Sequence, residues 1–210
     1  MRATIHLPLI VGTDGSGTMV WSIDASFAVH MDMKSHTGYY MTLGITCPIS
    51  GSSSQKINTR SSTEAELVGV DGTIAFVEWV SLYSKDQVKE YPVTHPLKEM
   101  GTNTVVEQDN TSTIKLIKGG KRVCGQRTRN ILIRYFYAHN RVDDGTITVV
   151  YCPTKEMTSD YLSKPLQGSL FRLHCNTLMG LTPALDIQYK LSYAKDNALR
   201  IQKAINYYSN

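Results

Sequence analysis

Four acidic residues stand where predicted strands and helices begin or end, and they are Asp24, Glu64, Asp109 and Asp160. Regular elements hold such side chains on rigid backbone, so that several of them can point into one site. Clustered carboxylates are suitable ligands for hard divalent cations, and without cations they repel one another. The residue types therefore favour a metal site, although their spacing along the chain does not by itself show that they converge.

Each acid also has a simpler structural role. Glu64 follows Ser61 by three residues, which is the spacing of a helix capping box. Asp24 and Asp109 could end strands at turns, and Asp160 could be a solvated helix residue. Solvated faces are also expected for three neighbouring acids, Glu66, Asp71 and Glu107. Taken singly, these structural roles are the simpler explanation.

The first part of the chain has the pattern of an antiparallel meander. Apolar residues alternate over residues 19–25, which predicts a strand with Asp24 at its end. Residues 38–43 are rich in aromatic side chains and predict a second strand, and residues 45–50 can supply a third.

Helices and strands then alternate. The sequence from Ser61 predicts a helix that ends near Asp86, and a proline-containing loop follows over 88–102. The remaining predicted elements are a strand at 104–107, a helix from Asn110 to Gly119, a helix at 128–142, a strand at 146–151 and a helix at 156–162. Together these elements predict an α/β fold, a mixed sheet with helices packed on its faces.

The segments around the four acids resemble the sequence blocks of one known family. SIDASF surrounds Asp24, SSTEAE surrounds Glu64, QDNTSTIKL surrounds Asp109 and SDYLSKPL surrounds Asp160. These blocks, in this order, are similar to those of the ribonuclease H of copia-type retrotransposons. The likeness continues through SHTGYYMTLG, GQRTRNILIRYFY and YCPTKEM, and spans about residues 19–166.

The resemblance implies a ribonuclease H-like fold at the end of a retrotransposon polyprotein. It also implies an endonuclease that removes the RNA strand of RNA/DNA hybrids made by reverse transcription. The four acids would then be both catalytic and metal-binding, holding two Mg²⁺ ions, with Mn²⁺ as a substitute, about 3.5–4 Å apart. No catalytic histidine is expected, because none of the 6 histidines lies shortly before the last acid.

Two groups of residues could hold the hybrid. Ser61, Asn110 and Ser112 flank the acids and could contact the minor groove, although a helix cap explains Ser61 and Asn110 equally well. The second group is a basic cluster that could follow the phosphates, with an ordinary basic helix end as its alternative. Its members are Lys115, Lys118, Lys121, Arg122, Arg127 and Arg129, and the last four are the ones predicted to bind the hybrid. Both tryptophans, Trp21 and Trp79, are expected in the core rather than stacked on bases.

The residues after the likeness ends predict a helical extension. Thr182-Pro183 is a good helix start, and an apolar seam at alternating spacings of three and four follows. The seam consists of Ala184, Ile187, Leu191, Ala194, Ala198, Ile201, Ile205 and Tyr208. Docking onto the protein's own body is favoured over a coiled coil, which leaves an oligomer open. The predicted domains are thus a lead-in (1–18), a catalytic domain (19–166) and a helical extension (167–210).

Composition agrees with a folded domain that could bind a polyanion. Hydrophobic residues make up 41% and charged residues 19%, and the formal net charge is +4. The 4 cysteines form no C-x-x-C pair, which argues against a zinc ribbon or a redox motif.

We expect no signal peptide, anchor or membrane span. The expected location is intracellular, in the cytoplasm or in virus-like particles, with the reverse transcriptase of the same polyprotein as a partner.

Three other functions compete with the nuclease. A catalytically silent hybrid-binding module from a decayed element would keep the basic cluster, but the presence of all four acids argues against it. A scaffold or assembly protein would use the C-terminal helix for association, and a mass measurement in solution would reveal it. An integrase-type strand transferase shares the broad fold, but no His/Cys zinc module precedes the acids here.

Overall fold

The computed structural model describes residues 7–10, 12–13, 16–45, 47–90, 103–120 and 132–181. Its strands are Met19–Ser26 (β1), His36–Thr42 (β2), Ile49–Ser54 (β3), Thr104–Gln108 (β4) and Thr148–Tyr151 (β5). Its helices are Ser62–Glu90 (α1), Thr111–Gly119 (α2), Leu132–Asp143 (α3), Asp160–Ser163 (α4) and Gly168–Met179 (α5). This meander followed by alternating helices and strands confirms the predicted fold class.

The five strands form one mixed sheet in the order β3-β2-β1-β4-β5. β1, β2 and β3 pair antiparallel, whereas β4 pairs parallel to β1, and β5 pairs parallel to β4. Parallel neighbours end at the same edge of a sheet. The register pairs Ser22 of β1 with Glu107 of β4, so Asp24 and Asp109, two residues further along each chain segment, come level with each other.

The core lies between the sheet and α1. Trp21, Ile23 and Leu67 are fully buried there, which confirms the predicted core position of Trp21. Trp79 was also predicted in the core, and that prediction is wrong because its exposed fraction is 59%. At 100° per residue, Trp79 is turned about 200° around α1 from the buried Val77 and therefore faces outward.

Several element boundaries differ from those predicted. β3 begins at Ile49 rather than at residue 45, and α1 continues to Glu90. The helix predicted at 156–162 is two short pieces, a 3-10 turn at Thr154–Glu156 and then α4. The break between them places Ser159 against the sheet, where its hydroxyl lies 2.9 Å from that of Ser22. A continuous helix would not hold these two hydroxyls together.

α4 lies directly over Gly38 of β2. A Cβ atom at residue 38 would lie 2.6 Å from the backbone carbon of Leu162 and 2.6 Å from the nitrogen of Ser163. Contacts that close to backbone atoms cannot be relieved by rotating a side chain. Ser52 of β3 also donates a hydrogen bond to the carbonyl of Leu162, at 2.6 Å. The short helix is therefore seated by close backbone packing on β2 and β3.

We expect Gly38→Ala to lower the free energy of unfolding by roughly 1–3 kcal/mol, because the added methyl group would push α4 away from β2. Gly72→Ala is the matched control: residue 72 lies in α1 with nothing within 4 Å of an added Cβ. That change should be neutral or stabilising, since alanine favours helix more than glycine does. Urea unfolding of both variants measures the difference. Equal stability of the two would contradict the packing described here.

Three sequence predictions fall wholly or largely outside the described residues. They are the four basic residues at 121–129, the apolar seam at 184–208 and the proline-containing loop at 88–102, of which residues 88–90 belong to α1. The first part of the predicted extension contains α5, and this helix packs against α4. The described helices include none with the length and apolarity of a membrane span.

Candidate metal centre

Three carboxylates converge at the edge of the sheet where β1 and β4 end. One oxygen from each of Asp24, Glu66 and Asp109 lies within 4.8 Å of the other two. Asp24 comes from β1, Glu66 from the second turn of α1, and Asp109 from the residue after β4. Within the part of the chain that the structure describes, no other group of three or more acids, histidines or cysteines is arranged to hold a metal ion. Three clustered oxygen donors are a set that suits Mg²⁺ or Mn²⁺.

Glu64, which the sequence indicated as the acid from the helix, lies elsewhere. Its carboxylate accepts a hydrogen bond from the backbone N–H of Arg60 at 2.7 Å, and its own N–H donates to the Ser61 hydroxyl at 3.2 Å. Glu64 therefore caps the start of the helix, in a variant of the capping box that the sequence left open: its carboxylate reaches the N–H of Arg60 rather than that of Ser61. The helix contributes Glu66 instead. Glu66 is only 6% exposed, so the solvated position expected for it was wrong.

Gln108 supports the cluster through hydrogen bonds from its side chain. Its side chain is fully buried, and its amide nitrogen donates to the carbonyl of Ile23 at 3.3 Å and to the Glu66 carboxylate at 3.2 Å. Its amide oxygen accepts from the backbone N–H groups of Asp109 and Asn110 at 2.8 and 3.0 Å. One amide thus joins β1, α1 and the start of α2. The sequence analysis did not assign this residue a function, although it directly precedes Asp109.

Burial and mutual repulsion disfavour the ionised forms of the clustered acids. Burial, together with the charges of Asp24 and Asp109, raises the pKa of Glu66 to about 9. The backbone N–H of Ala25, which donates to the Glu66 carboxylate at 3.1 Å, only partly offsets this. Burial likewise raises the pKa of Asp24. Acids that resist ionisation in this way are stabilised by a bound cation, which is the behaviour expected of a metal centre.

Asp160 lies beside the cluster rather than in it. It begins α4, and its carboxylate accepts a hydrogen bond from the Lys164 ammonium at 2.6 Å. The same ammonium lies 3.3 Å from the Asp24 carboxylate, which also accepts a hydrogen bond from the Ser163 hydroxyl. The structure therefore brings Asp160 near the other acids through a shared cation.

Two of the proposed substrate-binding residues are helix caps. The Ser61 hydroxyl caps α1, and the Asn110 side chain accepts hydrogen bonds from the N–H groups of Ser112 and Thr113 at 3.0 and 3.1 Å. Ser61 and Ser112 are both exposed. Capping uses the amide oxygen of Asn110 and the Ser61 hydroxyl as acceptors and does not use their N–H and O–H groups as donors, so contact with a substrate stays a prediction. The four basic residues, Lys121, Arg122, Arg127 and Arg129, lie outside the described residues.

The Asp109 carboxylate accepts a hydrogen bond from the Thr154 hydroxyl at 2.8 Å. Thr154 belongs to the YCPTKEM segment, after β5, so the last strand of the sheet also supports the centre. Thr154 and Ser163 are hydroxyl residues that sequence reasoning missed as supports of the acids. Their signal was weak, because a threonine in a turn and a serine in a short helix are common without such a role.

Several solved ribonuclease H structures resemble the chain at low sequence identity. The N-terminal RNase H domain of a Mycobacterium tuberculosis protein is 14% identical, covering 70% of this chain and 90% of that one, with a TM-score of 0.45. LC11-RNase H1, isolated from compost, is 15% identical, covering 70% and 92%, with a TM-score of 0.48. The same LC11 enzyme in complex with RNA/DNA hybrid is 11% identical, covering 69% and 92%, at 0.47.

Sequence comparison finds relatives among plant transposons. No protein-family model matches the chain. The retrovirus-related Pol polyprotein from transposon RE1 of Arabidopsis thaliana is 34% identical over 143 residues, which is 67% of this chain and 9% of that polyprotein. The polyprotein from transposon TNT 1-94 of Nicotiana tabacum is 30% identical over 162 residues, or 75% of this chain and 11% of that one. The chain thus spans about a tenth of these relatives, and over that segment it belongs with the retrovirus-related Pol polyproteins of plant retrotransposons.

Proposed function

We propose that the chain is a metal-dependent ribonuclease H that cuts the RNA strand of RNA/DNA hybrids. The observation that carries the proposal is the convergence of Asp24, Glu66 and Asp109 within 4.8 Å. These acids come from three parts of the fold, and two of them lie at the ends of parallel strands whose register brings them level. Homology to retrovirus-related Pol polyproteins of plant transposons supports the proposal, since the resemblance implies a hybrid made by reverse transcription as the substrate.

The acids would act as ligands for two Mg²⁺ ions. Asp24, Glu66 and Asp109 supply the clustered oxygens, and Asp160 supplies a further one beside Asp24. When bound, such ions activate a water molecule and stabilise the charge on the leaving oxygen. Gln108 and the Ala25 N–H hold the Glu66 carboxylate, and Thr154 holds that of Asp109. The ligands are thereby fixed in place before the cations arrive.

Residues at the rim would distinguish RNA from DNA. Ser61, Asn110 and Ser112 are short polar side chains next to the acids, and such groups can reach the 2′-hydroxyls that only the RNA strand carries. The basic residues Lys121, Arg122, Arg127 and Arg129 would bind phosphates without reading sequence. In the whole polyprotein, the reverse transcriptase segment would help to hold the hybrid.

A hybrid-cleavage assay with the full chain tests the proposal. With Mg²⁺ or Mn²⁺, we expect cuts in the RNA of an RNA/DNA hybrid that leave 5′-phosphate and 3′-hydroxyl ends. Single-stranded RNA and duplex DNA should be spared, and excess chelator should stop the reaction. Asp109→Asn is the inactive control, because it keeps the shape of the side chain and removes a charge. A folded wild-type sample that binds hybrids but does not cut them with either ion would instead favour the silent binding module.

A further inference from the structure

Lys164 links Asp160, which lies outside the carboxylate cluster, to Asp24, which belongs to it. Its ammonium lies 2.6 Å from a carboxylate oxygen of Asp160 and 3.3 Å from one of Asp24. The exposed fractions of the side chains are 37% for Lys164, 15% for Asp160 and 1% for Asp24. A single cation thus bridges a fully buried acid and a mostly buried one. Bridging two carboxylates is also what a divalent ion does in a metal centre.

The surroundings of Lys164 keep it charged and in place. Its ammonium donates a hydrogen bond to the Asp160 carboxylate and lies beside the buried Asp24 carboxylate, and two such neighbours favour the charged form of the lysine. Lys164 follows α4, a helix of 4 residues that is too short to be stable in isolation. The position of Asp160 therefore depends on contacts that tie α4 to the sheet. Lys164 contributes to them by pairing with both Asp160 and Asp24.

We propose that Lys164 is a built-in counter-ion of the metal centre. Its ammonium holds Asp24 and Asp160 together when divalent ions are scarce, and it competes with a divalent ion for those same two carboxylates. Lys164 is a positioning residue, since it acts on the ligands rather than on a substrate. The inference rests on the proposed function only in that the acids bind metal ions, and it does not require that they cut RNA.

Two measurable consequences follow from the shared carboxylates. Lys164→Gln leaves Asp24 and Asp160 without their cation, so in chelator the protein should melt several degrees lower, and Mg²⁺ should restore most of that loss. The same variant removes a competing positive charge, so it should bind Mn²⁺ more tightly than the wild type, by about tenfold or more. Lys164→Arg keeps the charge and should resemble the wild type in both respects.

The experiment combines calorimetric titration with Mn²⁺ and thermal unfolding in chelator and in Mg²⁺, all without nucleic acid. Lys89→Gln is the matched control, because it makes the same charge change in an exposed ion pair with Asp86 at the far end of α1. Tighter Mn²⁺ binding and a chelator-dependent loss of stability in Lys164→Gln alone would support the proposal. If Lys164→Gln matches Lys89→Gln, or loses equal stability with and without Mg²⁺ and binds Mn²⁺ no more tightly, the proposal is overturned. None of these measurements involves hybrid cleavage. A wild type that does not cut hybrids would therefore overturn the nuclease proposal and leave this inference intact.

Discussion

Glu66→Gln should reduce hybrid cleavage by about three orders of magnitude or more, while Glu64→Gln should stay within about tenfold of the wild type. The two residues are two positions apart in one helix, but only Glu66 has its carboxylate beside Asp24 and Asp109. Glu64 caps the start of the helix, and a glutamine can accept the same hydrogen bond, so this change should cost little stability and no ligand oxygen. Single-turnover cleavage of a labelled hybrid in Mg²⁺ measures both.

Circular dichroism and hybrid binding should be close to wild type for both variants, which separates lost chemistry from lost folding. The reverse ranking, with Glu64→Gln inactive and Glu66→Gln active, would mean that the helix presents the other acid to the substrate. Equal and small effects of the two changes would mean that neither acid of α1 acts in the metal centre.

In metal-free buffer, the stability of the wild type should fall as the pH rises from about 5 to about 9. The pKa of Glu66 is about 9 in the folded chain, against an ordinary value of 4.5. Between those values the folded state keeps a proton that the unfolded chain has released, so a higher pH favours unfolding. One such group lowers the free energy of unfolding by at most about 1.4 kcal/mol per pH unit. The raised pKa of Asp24 acts in the same direction, and the fall should level off above about pH 9.

Thermal unfolding across this pH range, in chelator, measures the effect. Glu66→Gln should flatten the profile because it removes the titrating group. Mg²⁺ should flatten it as well, since bound ions favour the ionised carboxylates. A wild-type profile in chelator that is flat, or that rises with pH, would show that Glu66 ionises as readily in the folded chain as in the unfolded one.

The sequence was sufficient to predict the elements that carry two of the acids. Asp24 and Asp109 each come at the end of a short apolar stretch that has the alternation of a strand, and both belong to the carboxylate cluster. Apolar alternation fixes which residues of a strand face the core, so the ends of β1 and β4 could be predicted to within a residue or two. Their juxtaposition could not be predicted from spacing, because it depends on which strands become neighbours in the sheet.

The choice between Glu64 and Glu66 shows where sequence reasoning stopped. Both acids belong to the SSTEAE segment, and the motif does not say which of them faces the sheet. The capping-box spacing from Ser61 to Glu64 was itself evidence that the Glu64 carboxylate is engaged at the helix start. On a helix, Glu66 shares its face with Val70 and Thr73, at spacings of four and seven residues, and both are buried. The phase of the buried face therefore favoured Glu66.

Irregular segments were less predictable than the strands. The break between the 3-10 turn and α4 depends on Ser159 reaching Ser22, a contact between residues 137 positions apart. No local propensity encodes such a contact. The same is true of Gln108, whose two donated hydrogen bonds reach separate elements of the fold. These residues position the acids, yet neither stands out by type or spacing.

The parallel pairing of β1 with β4 has a consequence for folding kinetics. The bond from Gln108 to the carbonyl of Ile23 closes a sequence separation of 85 residues. Contacts of such high order are costly in chain entropy and form late, so folding is slow compared with that of a helical bundle. The hydroxyl of Thr154 reaches Asp109 only once the segment after β5 is in place, so the support of that acid also depends on a late part of the chain. A partly folded chain that lacks the β1–β4 pairing would not bring Asp24 and Asp109 level with each other.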